Sequence, residues 1–451
     1  MKPNAYAQPP PFTWDPVEVR KCLPVYPPPE PLDYPSLPSP PRKASFSSPF
    51  TLSTHIFPAS YLRTTRQAPI PELPHHTLPK EQKRKRILEI RKELDDLRTS
   101  KVTDGYPLVL WNVVNRYLRN GLDESNKTGV TLFLAHANGF PKEIWEPFLG
   151  HLLSSKEGAS IDEVWAWESV QHGDAALINS ASLSAIFDWH DNARDIINFF
   201  THYLPTRPTT TLPVHLPRLP QEETNQRLVR GFSERQLIAI GHSYGGCTST
   251  LAALMHPVLF KSLALVDPVI LAPATRKPGG NDLATGALSR RDEWSSIEEA
   301  LEVCSKNPFF SAWHPDVLKL YITCGTYPTT SSSDVQKPII KLKMPPVQEA
   351  VVFAEVHTEH EVYDQLPTLD PRIPIRWIMP GKPGAPELGG PGTAEKRVWL
   401  RPANSTNTRI VGGGHLIPQE APLELAEDVQ SYLSYLFTTN YGAGTNIRPS
   451  L

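Results

Sequence analysis

The sequence predicts an α/β fold, in which a mostly parallel sheet is flanked by helices. Short apolar runs of strand length recur along the chain, at 129–135, 164–167, 237–240, 261–266 and 374–379. Helical patterns separate several of these runs, which is the alternation expected of a parallel sheet. At 451 residues the chain is long enough to form one large domain of this kind with insertions.

The N-terminal part of the chain differs in composition from the rest. Residues 1–41 contain 14 prolines, and such a segment cannot bury a core of its own. We therefore expect residues 1–45 to be a disordered tail, with a ligand for an SH3 or WW domain as the alternative. The first strand is expected at 50–56, a helix at 80–99 and the next strand at 107–114.

Composition excludes several classes of protein. A net charge of −2 provides no broad attraction to nucleic acid or to an anionic membrane. No apolar run reaches 18 residues, so no membrane span is expected. The four cysteines are widely spaced and form no metal-binding pattern. We expect them to be free thiols in a reducing, intracellular compartment, and we expect neither a metal nor an organic cofactor.

A candidate nucleophile follows the strand at 237–240. The chain turns at Gly241-His-Ser243-Tyr-Gly245 and continues with small and apolar residues at helical spacing. A strand, a tight G-x-S-x-G turn and a helix together make a nucleophile elbow, which exposes the serine hydroxyl at the helix N-terminus. The alternative is an ordinary glycine- and serine-rich loop after a buried strand.

A second loop is expected beside this elbow. The strand at 129–135 continues directly into His136-Ala-Asn138-Gly139. In hydrolases with a nucleophile elbow, the corresponding loop supplies one N–H group of the oxyanion hole, and the residue after the nucleophile supplies the other. These groups would belong to Asn138, or its neighbour Ala137, and to Tyr244. The alternative is a plain loop between a strand and a helix.

The partners of the serine are expected further along the chain. Asp267 ends the strand at 261–266, and His415 follows Gly412-Gly-Gly414 after the last strand. Their order after Ser243 is the order Ser…Asp…His of this fold. Asp267 precedes a proline, so a turn-forming role is the alternative. Glu387, after the strand at 374–379, is the reserve candidate for the acid.

Residues 275–368 depart from the alternation of strands and helices. Helices are expected after the capping box at 295–298, at 316–324 and at 346–355. We interpret this block as a helical cap over the active site. The candidate pocket residues are aromatic or lie in the oxyanion loop: His136, Phe140, Trp294 and Phe310. The alternative for the cap aromatics is a small core of the cap itself.

With these elements placed, the chain resembles the fungal α/β-hydrolases of secondary metabolism. That family includes the acyl-CoA hydrolase of mycophenolic acid biosynthesis and the host-selective toxin biosynthesis proteins, and the yeast peroxisomal lipase is more distantly similar. The resemblance covers about residues 50–440. It rests on several strings: His136-Ala-Asn-Gly-Phe-Pro-Lys-Glu143, His172-Gly-Asp174, Gly241-His-Ser-Tyr-Gly-Gly246, Val266-Asp-Pro268, Gly381-Lys-Pro-Gly384 and Gly414-His415.

The resemblance implies an α/β-hydrolase fold with a mostly parallel eight-stranded sheet and a helical cap inserted after the sixth strand. The core would comprise 46–274 and 369–440, the cap 275–368, and 441–451 a flexible tail. It further implies a triad of Ser243, Asp267 and His415 that hydrolyses a small-molecule ester or acyl-CoA thioester.

The resemblance also bears on location and on the alternatives. Some relatives carry a peroxisomal tripeptide, but Pro449-Ser450-Leu451 lacks the basic middle residue of that signal. We therefore expect a cytoplasmic location, with the peroxisome as the alternative. Two other functions remain open at this point. One is a catalytically silent, hydrolase-like protein that binds a ligand, and the other is a scaffold acting through the proline-rich segment.

Overall fold

The structure is a computed structural model that describes residues 4–74, 78–98, 105–273, 282–330 and 337–442, with side chains up to residue 438. Its central element is an eight-stranded sheet whose strands are β1 (Phe50–Pro58), β2 (Trp111–Arg119), β3 (Val130–Ala135), β4 (Glu163–Glu168), β5 (Gln236–His242), β6 (Ser262–Val266), β10 (Ile375–Pro380) and β11 (Ser405–Ile410). Of the expected C-terminal tail, 441–451, only the backbone of 441–442 lies within the described residues.

The strands are ordered β1-β2-β4-β3-β5-β6-β10-β11 across the sheet. β2 pairs antiparallel with β1 and β4, and the remaining neighbours pair parallel. The predicted mostly parallel, eight-stranded sheet is therefore confirmed. Both faces of the sheet are covered, since Leu132 and Leu134 join one apolar cluster while Phe133 and Ala135 join the other. Burial on both faces explains why the strands appear in the sequence as continuous apolar runs.

Helices cover these two faces: α1 (Lys80–Arg98), α2 (Glu146–Leu153), α3 (Gly173–Ile178), α4 (Trp189–Asn198), α5 (Gln221–Arg230), α6 (Tyr244–Met255), α13 (Thr393–Val398), α14 (Ile417–Glu420) and α15 (Pro422–Gly442). The segment 204–233, which in the sequence resembles a surface insertion, contains α5. Arg227 on α5 is buried and donates to the carbonyl oxygens of Phe200 and Leu204 at 2.8 and 2.7 Å. One side of this helix therefore packs against the fold through Thr224 and Arg227, while most of its residues are exposed.

The block between β6 and β10 contains the expected helices and a small sheet that was not expected. Its elements are α7 (Leu283–Ser289), β7 (Glu293–Trp294), α8 (Ile297–Ser305), α9 (Pro308–Ser311), α10 (Pro315–Gly325), β8 (Thr326–Thr330), β9 (Pro338–Leu342), α11 (Pro346–Ala354) and α12 (Thr358–Gln365). β7, β9 and β8 pair antiparallel in that order. These strands have two to five residues, too few to show a clear alternation.

The structure also describes the cysteines, the length and polarity of the helices, and the grouping of side chains that could bind a metal. The four cysteines are unpaired, as their spacing predicted. No described helix combines the length and apolar character needed to cross a bilayer. In the described ranges, no three His, Cys, Asp or Glu side chains are grouped as metal ligands would be.

The proline-rich segment is not the disordered tail that its composition suggested. Residues 4–45, which we call the N-terminal strap, lie along the surface of the fold and bond to distant elements. Arg194 donates to the carbonyl oxygens of Leu23 and Pro24. Trp14 Nε1 donates to Asp364 Oδ1 at 2.9 Å. The segment has no core of its own, but the rest of the chain supplies its polar and apolar partners.

Arg20 is the most heavily bonded side chain of the strap. Its guanidinium lies 2.5 Å from Asp188 Oδ2 next to α4, 2.6 Å from Glu361 Oε1 on α12 and 3.3 Å from Glu355 Oε1 before α12. All three carboxylates are nearly inaccessible to solvent. One strap residue therefore neutralises buried acids from both the core and the cap.

Replacing Arg20 by methionine is expected to lower the free energy of unfolding by about 3 kcal/mol, because the buried carboxylates of Asp188 and Glu355 lose the cation they contact, while Glu361 keeps His190. Urea denaturation measures this change. Lys21→Met is the matched control, since Lys21 is exposed and a surface substitution is expected to stay within about 0.5 kcal/mol. Equal effects of the two variants would contradict the role of Arg20.

Candidate active site

Ser243 occupies the turn between β5 and α6 in a strained backbone conformation. Its φ of 54° and ψ of −116° are unusual for a residue with a side chain. The Ser243 N–H donates to the Val266 carbonyl at 3.0 Å, and the Ser243 carbonyl accepts from the Val269 N–H at 3.1 Å. Both bonds tie the turn to the end of β6. The neighbouring strand therefore holds the strained conformation in place.

The glycines around Ser243 are required by close contacts. A Cβ at Gly241 would lie 2.6 Å from Gly246 Cα, and one at Gly245 would lie 2.5 Å from the carbonyl oxygen of Ala135. A Cβ at Gly246 would lie 2.7 Å from Pro268 Cβ. These separations are too short for any side chain. The turn can therefore pack against the ends of β3 and β6 because it carries glycine at these positions.

The structure brings the three predicted triad residues together. His415 Nε2 lies 3.0 Å from Ser243 Oγ, and His415 Nδ1 lies 2.7 Å from Asp267 Oδ2. Asp267 and Ser243 are buried, whereas the His415 side chain is 30% exposed. This is the geometry in which an imidazole can accept the serine proton while a carboxylate orients its other nitrogen.

His242, a residue of the elbow, contacts the backbone of His415. His242 Nε2 lies 2.9 Å from the carbonyl oxygen of His415. Burial, together with the nearby His415 ring, lowers the pKa of His242 to about 3, so this ring is neutral at physiological pH. A neutral ring that donates from Nε2 satisfies the carbonyl, and it ties the histidine loop to β5.

Asp267 also has a positive φ, of 34°, and its N–H donates to the Ile378 carbonyl at 2.9 Å. Its Oδ1 atom accepts a 2.7 Å bond from Arg397 Nη2 on α13. Burial opposes ionisation, but Arg397 and His415 outweigh it and lower the pKa of Asp267. Glu387, the reserve acid, instead accepts a 3.3 Å bond from the Ala394 N–H.

The two candidate oxyanion residues lie on adjacent elements. Gly245 packs against the carbonyl oxygens at the end of β3, next to the loop that carries Asn138. Asn138 Nδ2 donates to the Glu349 carbonyl at 3.0 Å, and Oδ1 lies 3.1 Å from His172 Nε2. Its side chain is thus occupied. The N–H of Tyr244 begins α6 and has no acceptor within the helix.

A buried charge network underlies the oxyanion loop. Lys142 Nζ lies 2.9 Å from Asp174 and 3.1 Å from both Glu143 and Glu168. Lys343 from the cap lies 2.7 Å from Asp174. Burial opposes the charge of Lys142, but the three carboxylates raise its pKa well above the ordinary value. The strings His136–Glu143 and His172–Asp174 therefore meet in a network that fixes the loop.

The four candidate pocket residues occupy different environments. Phe140 and Phe310 lie in one aromatic cluster, packed against Tyr321 of α10 and against Trp313, which lies between α9 and α10. Trp294 is buried in the cap, within the same larger apolar cluster. This placement agrees with the alternative that cap aromatics form a core.

His136 does not fit a pocket assignment. Its Nδ1 lies 2.8 Å from the Ala137 carbonyl, and its Nε2 accepts from the Ser169 N–H at 3.2 Å. Burial lowers its pKa to about 4. Since both ring nitrogens are occupied by backbone groups, His136 fixes the oxyanion loop instead of facing a ligand.

Sequence reasoning missed Arg397, the bond from His242 and the network of Lys142. The bonds of Arg397 and His242 depend on residues that are distant in sequence: 130 positions separate Arg397 from Asp267. The Lys142 network is more local, since Glu143 is the next residue and Asp174 lies 32 positions away. For Lys142 a signal was present, because a lysine inside an otherwise apolar and glycine-rich string needs acidic partners when buried. No such signal marks Arg397, whose helix lies in the crossover between β10 and β11.

The family comparison covers most of the catalytic core. A model described as the alpha/beta hydrolase family matches residues 132–428, about two thirds of the chain. A type I acyl-CoA thioesterase (mpaH) of Penicillium brevicompactum is 30% identical over 175 residues, 38% of this chain and 34% of the relative. Its namesake in Penicillium roqueforti (strain FM164) is 26% identical over 275 residues, 60% of this chain and 48% of the relative.

Yeast provides a relative with a solved structure. Peroxisomal membrane protein LPX1 of Saccharomyces cerevisiae is 25% identical over 245 residues, 51% of this chain and 57% of the relative. The chain thus spans between about a third and somewhat over half of these curated relatives. The structure of the yeast peroxisomal alpha-beta-hydrolase Lpx1 matches with a TM-score of 0.58 and 18% identity, covering 90% of this chain and 94% of that one. This likeness shows the predicted hydrolase fold.

Gly245→Ala is expected to destabilise the protein by about 2 kcal/mol, because the new methyl group would meet two carbonyl oxygens of β3 and its loop. Thermal unfolding measures the change. Gly286→Ala is the matched control: this glycine lies in α7 with open space around it, so alanine should stabilise by about 0.5–1 kcal/mol. A Gly245→Ala protein as stable as wild type would contradict the packing described for the elbow.

Proposed function

Because the chain belongs to the alpha/beta hydrolase family, we propose that it is a serine hydrolase that cleaves a carboxylic ester or an acyl-CoA thioester. Ser243 is the nucleophile, His415 the general base and acid, and Asp267 the residue that orients His415. The observation that supports this most strongly is the continuous contact from Asp267 Oδ2 through His415 to Ser243 Oγ, at 2.7 and 3.0 Å.

The reaction proceeds in two steps. His415 Nε2 takes the proton of Ser243 as Oγ attacks the carbonyl carbon. The tetrahedral intermediate collapses, its bond to the alcohol or thiol breaks, and the leaving group receives the proton from His415. Water, deprotonated by the same nitrogen, then attacks the acyl-enzyme. The bond between the acyl carbon and Ser243 Oγ breaks, Oγ takes the proton back from His415, and the carboxylic acid is released. Asp267 keeps its negative charge throughout and stabilises the imidazolium.

The oxyanion of each intermediate is assigned to the N–H groups of Tyr244 and Asn138. Tyr244 contributes a free N–H at the start of α6, where the helix dipole favours negative charge. The Asn138 side chain is bonded elsewhere, so its contribution is from the backbone. Each such donor is worth about 3 kcal/mol of transition-state stabilisation.

The relatives suggest the substrate class. Two of them are named type I acyl-CoA thioesterases, which favours a small-molecule acyl thioester over a simple ester, in secondary or lipid metabolism. LPX1 is named as a peroxisomal protein. A peroxisomal location is accordingly the alternative to the cytoplasmic one that we expect from the free cysteines.

Steady-state hydrolysis of a p-nitrophenyl ester and of a series of acyl-CoA thioesters tests the function. Ser243→Ala and His415→Ala are each expected to lower kcat by at least about 10⁴-fold, and Asp267→Asn by about 10⁴-fold. Glu387→Gln is the matched control, because Glu387 contacts neither His415 nor Ser243 in the described bonds. Its kcat should remain near wild type.

Two results would contradict the proposal. Turnover that persists in Ser243→Ala would show that another group carries the chemistry. A folded wild-type protein that binds acyl-CoA but hydrolyses none of the substrates would support the alternative, a silent ligand-binding protein with a hydrolase fold.

A further inference from the structure

We propose that Arg397 is a positioning residue of the triad, whose guanidinium fixes the Asp267 carboxylate in the orientation and charge state that His415 requires. This inference rests on the proposed function of Ser243, His415 and Asp267. Arg397, on α13, is thereby added to these three residues, and it does not touch the substrate.

The geometry divides the two oxygens of one carboxylate between two partners. Oδ1 accepts from Arg397 Nη2 at 2.7 Å, and Oδ2 lies 2.7 Å from His415 Nδ1. The side chains of Arg397 and Asp267 are each 2% exposed. With one oxygen held by the guanidinium, the carboxylate cannot rotate freely about its Cβ–Cγ bond. The second oxygen is thereby kept in line with the histidine ring.

The charge of Arg397 is needed because of what else surrounds Asp267. Besides Arg397, the groups that act most directly on its charge are His415, from the loop before α14, and His242, from β5. A small cavity beside the carboxylate is lined by Tyr6, Lys382, Glu387 and Arg409. His242 is neutral, because burial and the nearby His415 ring lower its pKa to about 3. His415 is the proposed catalytic base, and a catalytic base must be neutral before it acts. Arg397 is then the permanent cation in contact with this buried carboxylate, among the described residues. Without it, ionised Asp267 would be buried with no compensating charge.

The hydrogen bonds of Arg397 differ from those of an arginine that only ties backbone segments together. Its Nε and Nη1 atoms have no protein partner among the described residues. Together with Asp267, the side chain borders a cavity of about 40 Å³ that Tyr6, Lys382, Glu387 and Arg409 also line. Arg401, four residues later, is also buried, but it donates to the carbonyl oxygens of Asp370 and Ile373. The recorded bond of Arg397 is thus to Asp267, whereas Arg401 ties segments of backbone together.

The test compares Arg397→Met with Arg401→Met, using kcat, KM and the pH dependence of kcat/KM. In Arg397→Met, kcat should fall by about 10–100-fold, the usual effect of removing a residue that orients a functional group. KM should stay unchanged, because Arg397 does not touch the substrate. The acid limb should move to higher pH by about one unit, since an unshared carboxylate favours the protonated imidazole more strongly.

Arg401→Met is expected to lower stability while leaving kcat and the pH profile of the folded fraction unaltered. Arg397→Lys keeps the positive charge and should recover part of kcat and most of the pH shift. If the methionine variant does not fold, the lysine variant decides the question: a lowered kcat with unchanged KM supports the inference, and a wild-type kcat overturns it.

The inference is also overturned if folded Arg397→Met keeps the wild-type pH profile and kcat, or loses activity only as far as it unfolds. That outcome is distinguishable from failure of the proposed function. If Ser243→Ala and His415→Ala are inactive while Arg397→Met is normal, the inference about Arg397 fails by itself. If Ser243→Ala is active, the triad itself is rejected.

Discussion

The packing of the serine turn against its neighbours sets the position of everything else in the site. Residues 241–246 approach the end of β3 on one side and Pro268 after β6 on the other, at distances that exclude side chains. The first contact brings the loop after β3, which carries Asn138, next to the start of α6. The second brings Asp267 to within reach of a histidine that enters from after β11. The strained φ of Ser243 is therefore maintained by the packing of three strands, and it exposes the hydroxyl to His415.

Buried charged groups also join elements of the fold. Asp267 pairs with Arg397, and Arg20 pairs with Asp188 and Glu361, across long stretches of the chain, whereas the carboxylates around Lys142 lie nearer to it in sequence. Removing one member of such a group leaves an uncompensated buried charge, so each charge requires its own partner. The net contribution of the intact group to stability is nevertheless small. Two of these networks reach the block between β6 and β10, through Glu361 at Arg20 and through Lys343 at Asp174. The aromatic cluster around Trp313 joins the same block to Phe140.

Local patterns explain what could be predicted from the sequence. The elbow is a short string whose neighbours are a strand and a helix, so Ser243 could be identified without tertiary information. Asp267 and His415 follow from their places at strand ends, and the choice of Asp267 over Glu387 agrees with the contact to His415. The predictions that failed concern residues whose structure depends on contacts with distant parts of the fold. Composition alone made the N-terminal strap look disordered, because the partners of Arg20 lie more than 160 positions away. The same holds for Arg397, which no spacing rule connects with Asp267.

The central claim is that contact with His415 makes Ser243 an activated nucleophile. It is tested most directly by labelling the purified protein with a fluorophosphonate and locating the modified residue by mass spectrometry. A fluorophosphonate reacts with a serine that has an adjacent base and needs no knowledge of the natural substrate. We expect a single adduct, on Ser243, that is absent from His415→Ala. An adduct on another residue, or none on a protein shown to be folded, would contradict it.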